Sequence, residues 1–155
     1  FTHDWRSLPG PTGERNVYAV LPRESVLCLA QDDGHLLMQT AAALAVGAAV
    51  VWPAECTALR DRMPEPVAAQ VALATDWRAP AVGIDAVLMQ GTDEAVQAVM
   101  RDLAQRPGPI VGLTRLVTSQ ADDGPPVALH RLVIERSISV NTAAAGGNAS
   151  LMTIG

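Results

Sequence analysis

The side chains best suited to chemistry in this sequence are two cysteines, three histidines and two pairs of adjacent aspartates. A thiolate can attack a carbonyl, and paired carboxylates can divide acid and base roles. Their settings argue against both. Cys28 lies inside the apolar run 25–30, where burial raises a thiol pKa and makes it inert. Cys56 lies near an expected helix start, which would lower its pKa, but neither thiol has a base near it in sequence. Neither sits in a C-x-x-C or a Cys/His cluster, so no zinc site is expected. Two cysteines are too few for a disulfide framework, and reduced thiols in a cytosolic protein are the simpler reading. His3, His35 and His130 lack metal-ligand spacing. Asp32 and Asp33 read as a helix cap, and Asp122 and Asp123 as a turn before Gly124-Pro125-Pro126. All eleven basic residues are Arg. The absence of Lys excludes a Schiff-base lysine, a P-loop lysine or a lysine that clamps a cofactor.

The elements that would position these residues are built from an unusual composition. Of 155 residues, 49% are hydrophobic but only 3% aromatic, so the core must be made of Ala, Val, Leu and Ile. The length suits one domain with a core of its own. The net charge is −5 and the arginines are scattered, which argues against nucleic-acid binding by this segment. Residues 36–54 carry no charge over 19 positions, close to a membrane-spanning length. They include Gln39, Thr40, Gly47 and Pro53, and a buried helix running into a buried strand explains them better. The first residues lack the cationic start and apolar core of a signal peptide. It begins at Phe1 without an initiator Met, as a piece of something longer would.

Along the chain, residues 1–16 read as an irregular arm, with turn formers dense around Pro9-Gly10-Pro11. Residues 16–21 suggest a short edge strand stopped by Pro22. A short continuous apolar run at 25–30 then marks a strand covered on both faces, 48–52 reads as a second buried strand, and further strands are expected at 71–74, 84–89 and 110–113. Between the first two, a helix capped by Asp32 or Asp33 runs to Gly47, a C′ glycine. Pro53 would open a short helix. Thr92 caps a second long helix, with Asp93 and Glu94 at its positive end. Val96, Val99, Met100 and Leu103 form its apolar stripe, and Arg106 ends it. Residues 136–141 alternate like a half-exposed strand. The expected fold is α/β: an open, doubly wound, mostly parallel Rossmann-like sheet. Its domains would be an arm or linker at 1–16, the Rossmann-like domain at 17–134, and a β-flap with an extended C-terminal docking tail at 135–155.

Several motifs occur in a telling order: Gly10-Pro11-Thr12-Gly13-Glu14-Arg15-Asn16, Val26-Leu27-Cys28-Leu29, Ala41-Ala42-Ala43-Leu44-Ala45-Val46-Gly47, Pro53-Ala54-Glu55 and Gly91-Thr92-Asp93-Glu94. Together they resemble the cofactor domain of an aldehyde dehydrogenase. The tail, from Ser139-Val140-Asn141 through Gly146-Gly147-Asn148 to Leu151-Met152-Thr153-Ile154-Gly155, is similar to the extreme C-terminus of the longer members of the bacterial proline-utilisation (PutA) family. The chain thus resembles the C-terminal aldehyde-dehydrogenase-like domain of that bifunctional or trifunctional family, which joins a proline dehydrogenase to a glutamate-semialdehyde dehydrogenase.

Departures from the family's pattern decide what the resemblance implies. The family's loop after the first strand reads P-W-N-F, and its Asn serves the oxyanion. Here the loop is Gln31-Asp32-Asp33-Gly34, and acidic groups would repel an oxyanion. The family's K-P-A-E, whose Lys holds the adenine ribose of NAD, reads Trp52-Pro53-Ala54-Glu55 here. Trp has a single donor and no charge. The phosphate-side turn G-S-T-E becomes Gly91-Thr92-Asp93-Glu94, with an added anion where pyrophosphate would lie. The catalytic domain with its nucleophilic Cys and general-base Glu has no counterpart.

The expectation is therefore a segment with no catalytic residue, no metal site and no cofactor. It would keep a vestigial groove at Trp52, Glu55, Gly91 and Thr92, with Trp52 plugging the vacated space. By resemblance, the parent protein uses FAD and NAD. The segment would brace the parent's dehydrogenase domain and cover the path taken by the intermediate. Val140, Asn141, Gly146, Gly147, Asn148, Leu151, Met152 and Ile154 would form its interface or lid, by adding to a partner's sheet edge. The resemblance further implies a homo-oligomer through the β-flap, no membrane span, and a cytoplasmic parent, peripheral at the inner membrane. The competing expectation is a degenerate dinucleotide-binding module with residual NAD affinity.

Overall fold

The computed structural model describes residues 4–116 and 127–142. The chain divides into two compact units, Pro22–Ile134 and the flanking stretches up to Leu21 and from Glu135 onward.

In the first unit, β3 (Ser25–Leu29), β4 (Ala49–Pro53), β5 (Val71–Ala74), β6 (Ala86–Met89) and β7 (Gly112–Arg115) form one sheet in the order β5-β4-β3-β6-β7. All four pairings are parallel. Alternation along each strand sends side chains to opposite faces. Val26, Cys28, Val50, Trp52, Ala86 and Leu88 enter one core with Leu36, Ala43 and Val46 of helix α1 (Asp33–Val46). Leu27, Val51, Val87 and Met89 enter a second core with Val99 and Leu103 of helix α4 (Asp93–Ala104). The two long helices therefore cover opposite faces, as a doubly wound sheet requires. Two short helices, α2 (Thr57–Arg60) and α3 (Glu65–Ala68), connect β4 to β5.

Local chemistry fixes α1 at both ends. Asp32 is its N-cap, and its Oδ1 accepts the His35 amide at 2.9 Å. Gly47 adopts φ 86°, its N–H reaches the Leu44 carbonyl at 3.0 Å, and the Ala48 N–H reaches that of Ala43 at 3.0 Å. That pair of bonds is a Schellman ending, and its left-handed residue calls for glycine.

In the second unit, β1 (Arg6–Leu8), β2 (Glu14–Pro22) and β8 (Val133–Asn141) form a three-stranded sheet, with the last residue of β2 and the first two of β8 lying in the first unit. β1 runs antiparallel to β2, from Arg6 opposite Tyr18 to Leu8 opposite Asn16. Gly13, at φ 91°, turns the chain between them and accepts the Thr142 amide at 2.7 Å. Ser139 Oγ of β8 donates to Asn16 Oδ1.

Several boundaries differ from the sequence pattern. Residues 6–8 are a strand and not irregular chain, because a three-residue strand carries no readable period. The strand expected at a sheet edge over 16–21 is β2, which lies between β1 and β8. Pro53 ends β4 and is also the N-cap of a short 3-10 helix, Ala54–Cys56. The last parallel strand begins at Gly112 rather than at 110, with Ile110 left 98% exposed. Met100 is 55% exposed while Val99 and Leu103 are buried. The residue after Val99 sits roughly 100° round the helix, so only part of the apolar stripe meets the sheet.

Candidate dinucleotide crevice

The strand order reverses at β3, which has β4 on one side and β6 on the other. A crevice opens at the carboxyl ends of strands where the order reverses, and it is the ligand site of open α/β sheets. Here a groove of about 290 Å³ lies at that place, lined by Gln31, Glu55, Cys56, Arg78, Gln90 and Gly91 among others. Its volume falls at the small end for ligand pockets.

The N-termini of the two long helices are occupied by the chain's own groups. At α1, Asp32 accepts from the His35 amide with one oxygen and meets His35 Nδ1 at 2.6 Å with the other. These bonds, the backbone one first, hold the Asp32 carboxyl below its usual range. Asp33 pairs with Arg62 at 2.8 Å. The Gln31 amide donates to Gln90 Oε1 at 3.4 Å, a long contact. At α4, Thr92 Oγ1 accepts the Ala95 amide at 3.3 Å. Asp93 pairs with Arg115 at the end of β7, and Arg115 Nη2 also donates to the Gly91 carbonyl at 3.0 Å. Glu94 is lowered by bonding to its own amide and then to Thr92. A Cβ at Gly91 would approach Met89 Cε to 3.1 Å, a tight contact with the tip of a flexible side chain.

The structure brings Glu55 and Gly91 to the groove, but not Trp52 or Thr92 among its lining. Trp52 is wholly buried beneath α1. Its Nε1 donates to Thr40 Oγ1 at 2.9 Å, and that hydroxyl donates to the Leu36 carbonyl at 2.8 Å. The indole therefore fills the core under the helix and not the groove, which stays open. An indole has one donor, and Trp52 spends it on Thr40.

Both thiols line the groove. Burial pushes Cys28 up to about 12, with Thr40 opposing weakly. Cys56 is also raised, by burial first and then by Glu55 and Asp33. A depressed Cys56 was the expectation from its place near a helix start. The element after it, Thr57–Arg60, is a single short turn, and burial, with Glu55 and Asp33 adding to it, outweighs any effect of that turn.

Sequence reasoning missed two arginines. Arg115 gave no signal as a lone basic residue after an apolar run. Arg106 lies beyond the helix it was expected to end. Its Nη1 reaches the carbonyls of Trp77 at 2.8 Å, Arg78 at 3.1 Å and Ala79 at 3.1 Å, and Nη2 reaches that of Val82. Gln39 and Thr40 were visible as polar residues in an apolar helix. Gln39 is fully buried, donating Nε2 to the Leu29 carbonyl at 3.0 Å, and its Oε1 has no partner among the described residues.

Val140 and Asn141 lie on β8 and are exposed. Gly146, Gly147, Asn148, Leu151, Met152 and Ile154 lie outside the described residues, as do His3, Asp122 and Asp123. Among the described residues, no three His, Cys, Asp or Glu side chains could hold a metal ion, and no helix is long and apolar enough to cross a membrane.

No family model matches the chain. Over 97% of its length it is 46% identical to the bifunctional protein PutA of Escherichia coli K12 and 47% identical to that of Salmonella typhimurium. It is 39% identical to the PutA of Rhizobium meliloti over 96% of its length. The chain spans only 11 to 12% of these relatives. Among solved structures, a proline utilization A (PutA) with proline bound in remote sites covers 74% of the chain at a TM-score of 0.52 and 27% identity, over 14% of its own length. A protein from Burkholderia cenocepacia described as an aldehyde dehydrogenase covers 73% of this chain, over 27% of its own length, at a TM-score of 0.53 and 20% identity, a likeness of fold. The fold is thus an α/β Rossmann-like sheet, shared with the PutA structure and with that aldehyde dehydrogenase.

Proposed function

Starting from a chain homologous to one segment of the PutA proteins, about a tenth of their length, we propose that it is a non-catalytic structural domain of a proline-catabolic oxidoreductase. The parent would oxidise proline to glutamate through a proline dehydrogenase and a glutamate-semialdehyde dehydrogenase, with FAD and NAD held by its other domains. In this reading, residues 17–134 brace the dehydrogenase domain of the same parent chain. Residues 135–155 form a flap and docking tail that cover the path of the intermediate and serve a homo-oligomer contact.

The observation that carries this reading is strand β8. Its residues from Glu135 to Asn141 are all exposed, and from Ser137 onward they alternate small polar and apolar side chains. A sheet of so few strands needs an apolar face packed against something to be stable. An edge strand with free main-chain groups can recruit a partner's strand. Deleting residues 139–155 from the parent protein tests the covering role. The deletion should slow coupled turnover of proline to glutamate while each half-reaction keeps its rate. Unchanged coupled turnover would show the covering role to be wrong.

One observation favours the second reading, a degenerate dinucleotide module: the groove at the reversal of strand order is open and still lined by Gly91 and Glu55. Against it stand the donor set at that place. The family's ribose lysine is replaced by a buried Trp52, and the one cation at the phosphate turn, Arg115, is engaged by Asp93. NAD does not fit such a set. Calorimetric titration decides between the two, since binding tighter than about 1 mM, roughly −4 kcal/mol, would favour the dinucleotide reading.

A further inference from the structure

We draw no further inference here: the strongest candidate, the apolar groove between α4 and the outer edge of β7 around Met100, Leu103, Ile110 and Leu113, is an unpartnered face, and nothing in the structure shows what covers it.

Discussion

The two units of this chain use β-structure in opposite ways. The parallel strands of the first unit are four or five residues long, and the three central ones, β4, β3 and β6, are largely buried, with Val26, Val50, Val87 and Leu88 at 0% exposure. Strands β2 and β8 of the second unit are nine residues long, yet β8 buries none of its residues and β2 only Ala19. Strand length is thus a poor guide to what a sheet contributes. A short strand between two helical layers removes both of its faces from water. A long strand in a three-stranded ribbon gains its ladder bonds and little apolar burial. The first unit buries most of its central strands within itself, whereas the second leaves most of its long strands exposed.

The sharpest way to break this contrast is Trp52→Lys, which restores the family's residue type. It would place an ammonium where a fully buried indole now meets Thr40. Truncating a buried Trp costs about 3–5 kcal/mol, and an unpaired buried charge adds to that. The denaturation midpoint should collapse. A folded Trp52→Lys protein that binds NAD would instead mean that the groove needs only its cation back.

Arg106→Ala comes next. It would remove the donors of the Trp77, Arg78, Ala79 and Val82 carbonyls. These carbonyls lie in partly solvated loop, so the expected loss is about 1–3 kcal/mol. Hydrogen exchange should rise locally over residues 77–82, and uniform protection there would contradict the role given to Arg106. Thr92→Ala should cost about 1 kcal/mol by losing the α4 cap, read as a lower thermal midpoint, with Thr92→Ser recovering most of it.

In the second unit the comparison predicts near silence. Ile138 is 46% exposed, so Ile138→Ser should change the stability of the chain by less than about 0.5 kcal/mol. The same substitution in the parent protein should lower coupled turnover. A large loss of stability in the chain would mean that β8 is buried by a self-contact.

The last and smallest effect concerns pH. Asp32 is held below its usual carboxylate range by the His35 amide and ring. Its folded pKa is depressed, so its stabilising contribution is complete above the unfolded value of about 4. That contribution disappears as pH falls through the folded value. In Asp32→Asn, which keeps an acceptor at the cap, the acid limb of the stability curve should flatten. An unchanged limb would mean that the cap does not depend on charge.

Much of the first unit was legible in the residues. The strands at 25–29 and 71–74 follow from apolar runs, and both ends of α1 follow from Asp32 and Gly47. The ends of the last strands were misread because Ile110 and Ile84 are apolar but precede the parallel ladder, which joins Ala86 to Gly112. Composition does not say where a ladder begins. β1 was invisible because Arg6, Ser7 and Leu8 become a strand only by pairing with β2.

The site divides in the same way. The sequence by itself determined which groups are absent: no lysine anywhere, no oxyanion asparagine after the first strand, and acidic residues at both helix starts. Residue type sets charge and donor count, and no fold can supply an amine that the chain lacks. Only the tertiary structure decided where the replacements went. Trp52 turns beneath α1 toward Thr40, Arg115 reaches back from β7 to Asp93, and Arg106 folds over the loop at 77–82. These partners are 12 to 29 positions apart in the chain, beyond the reach of any local pattern. Side-chain direction at a strand end is set by the sheet's pleat and by the helix packed on it.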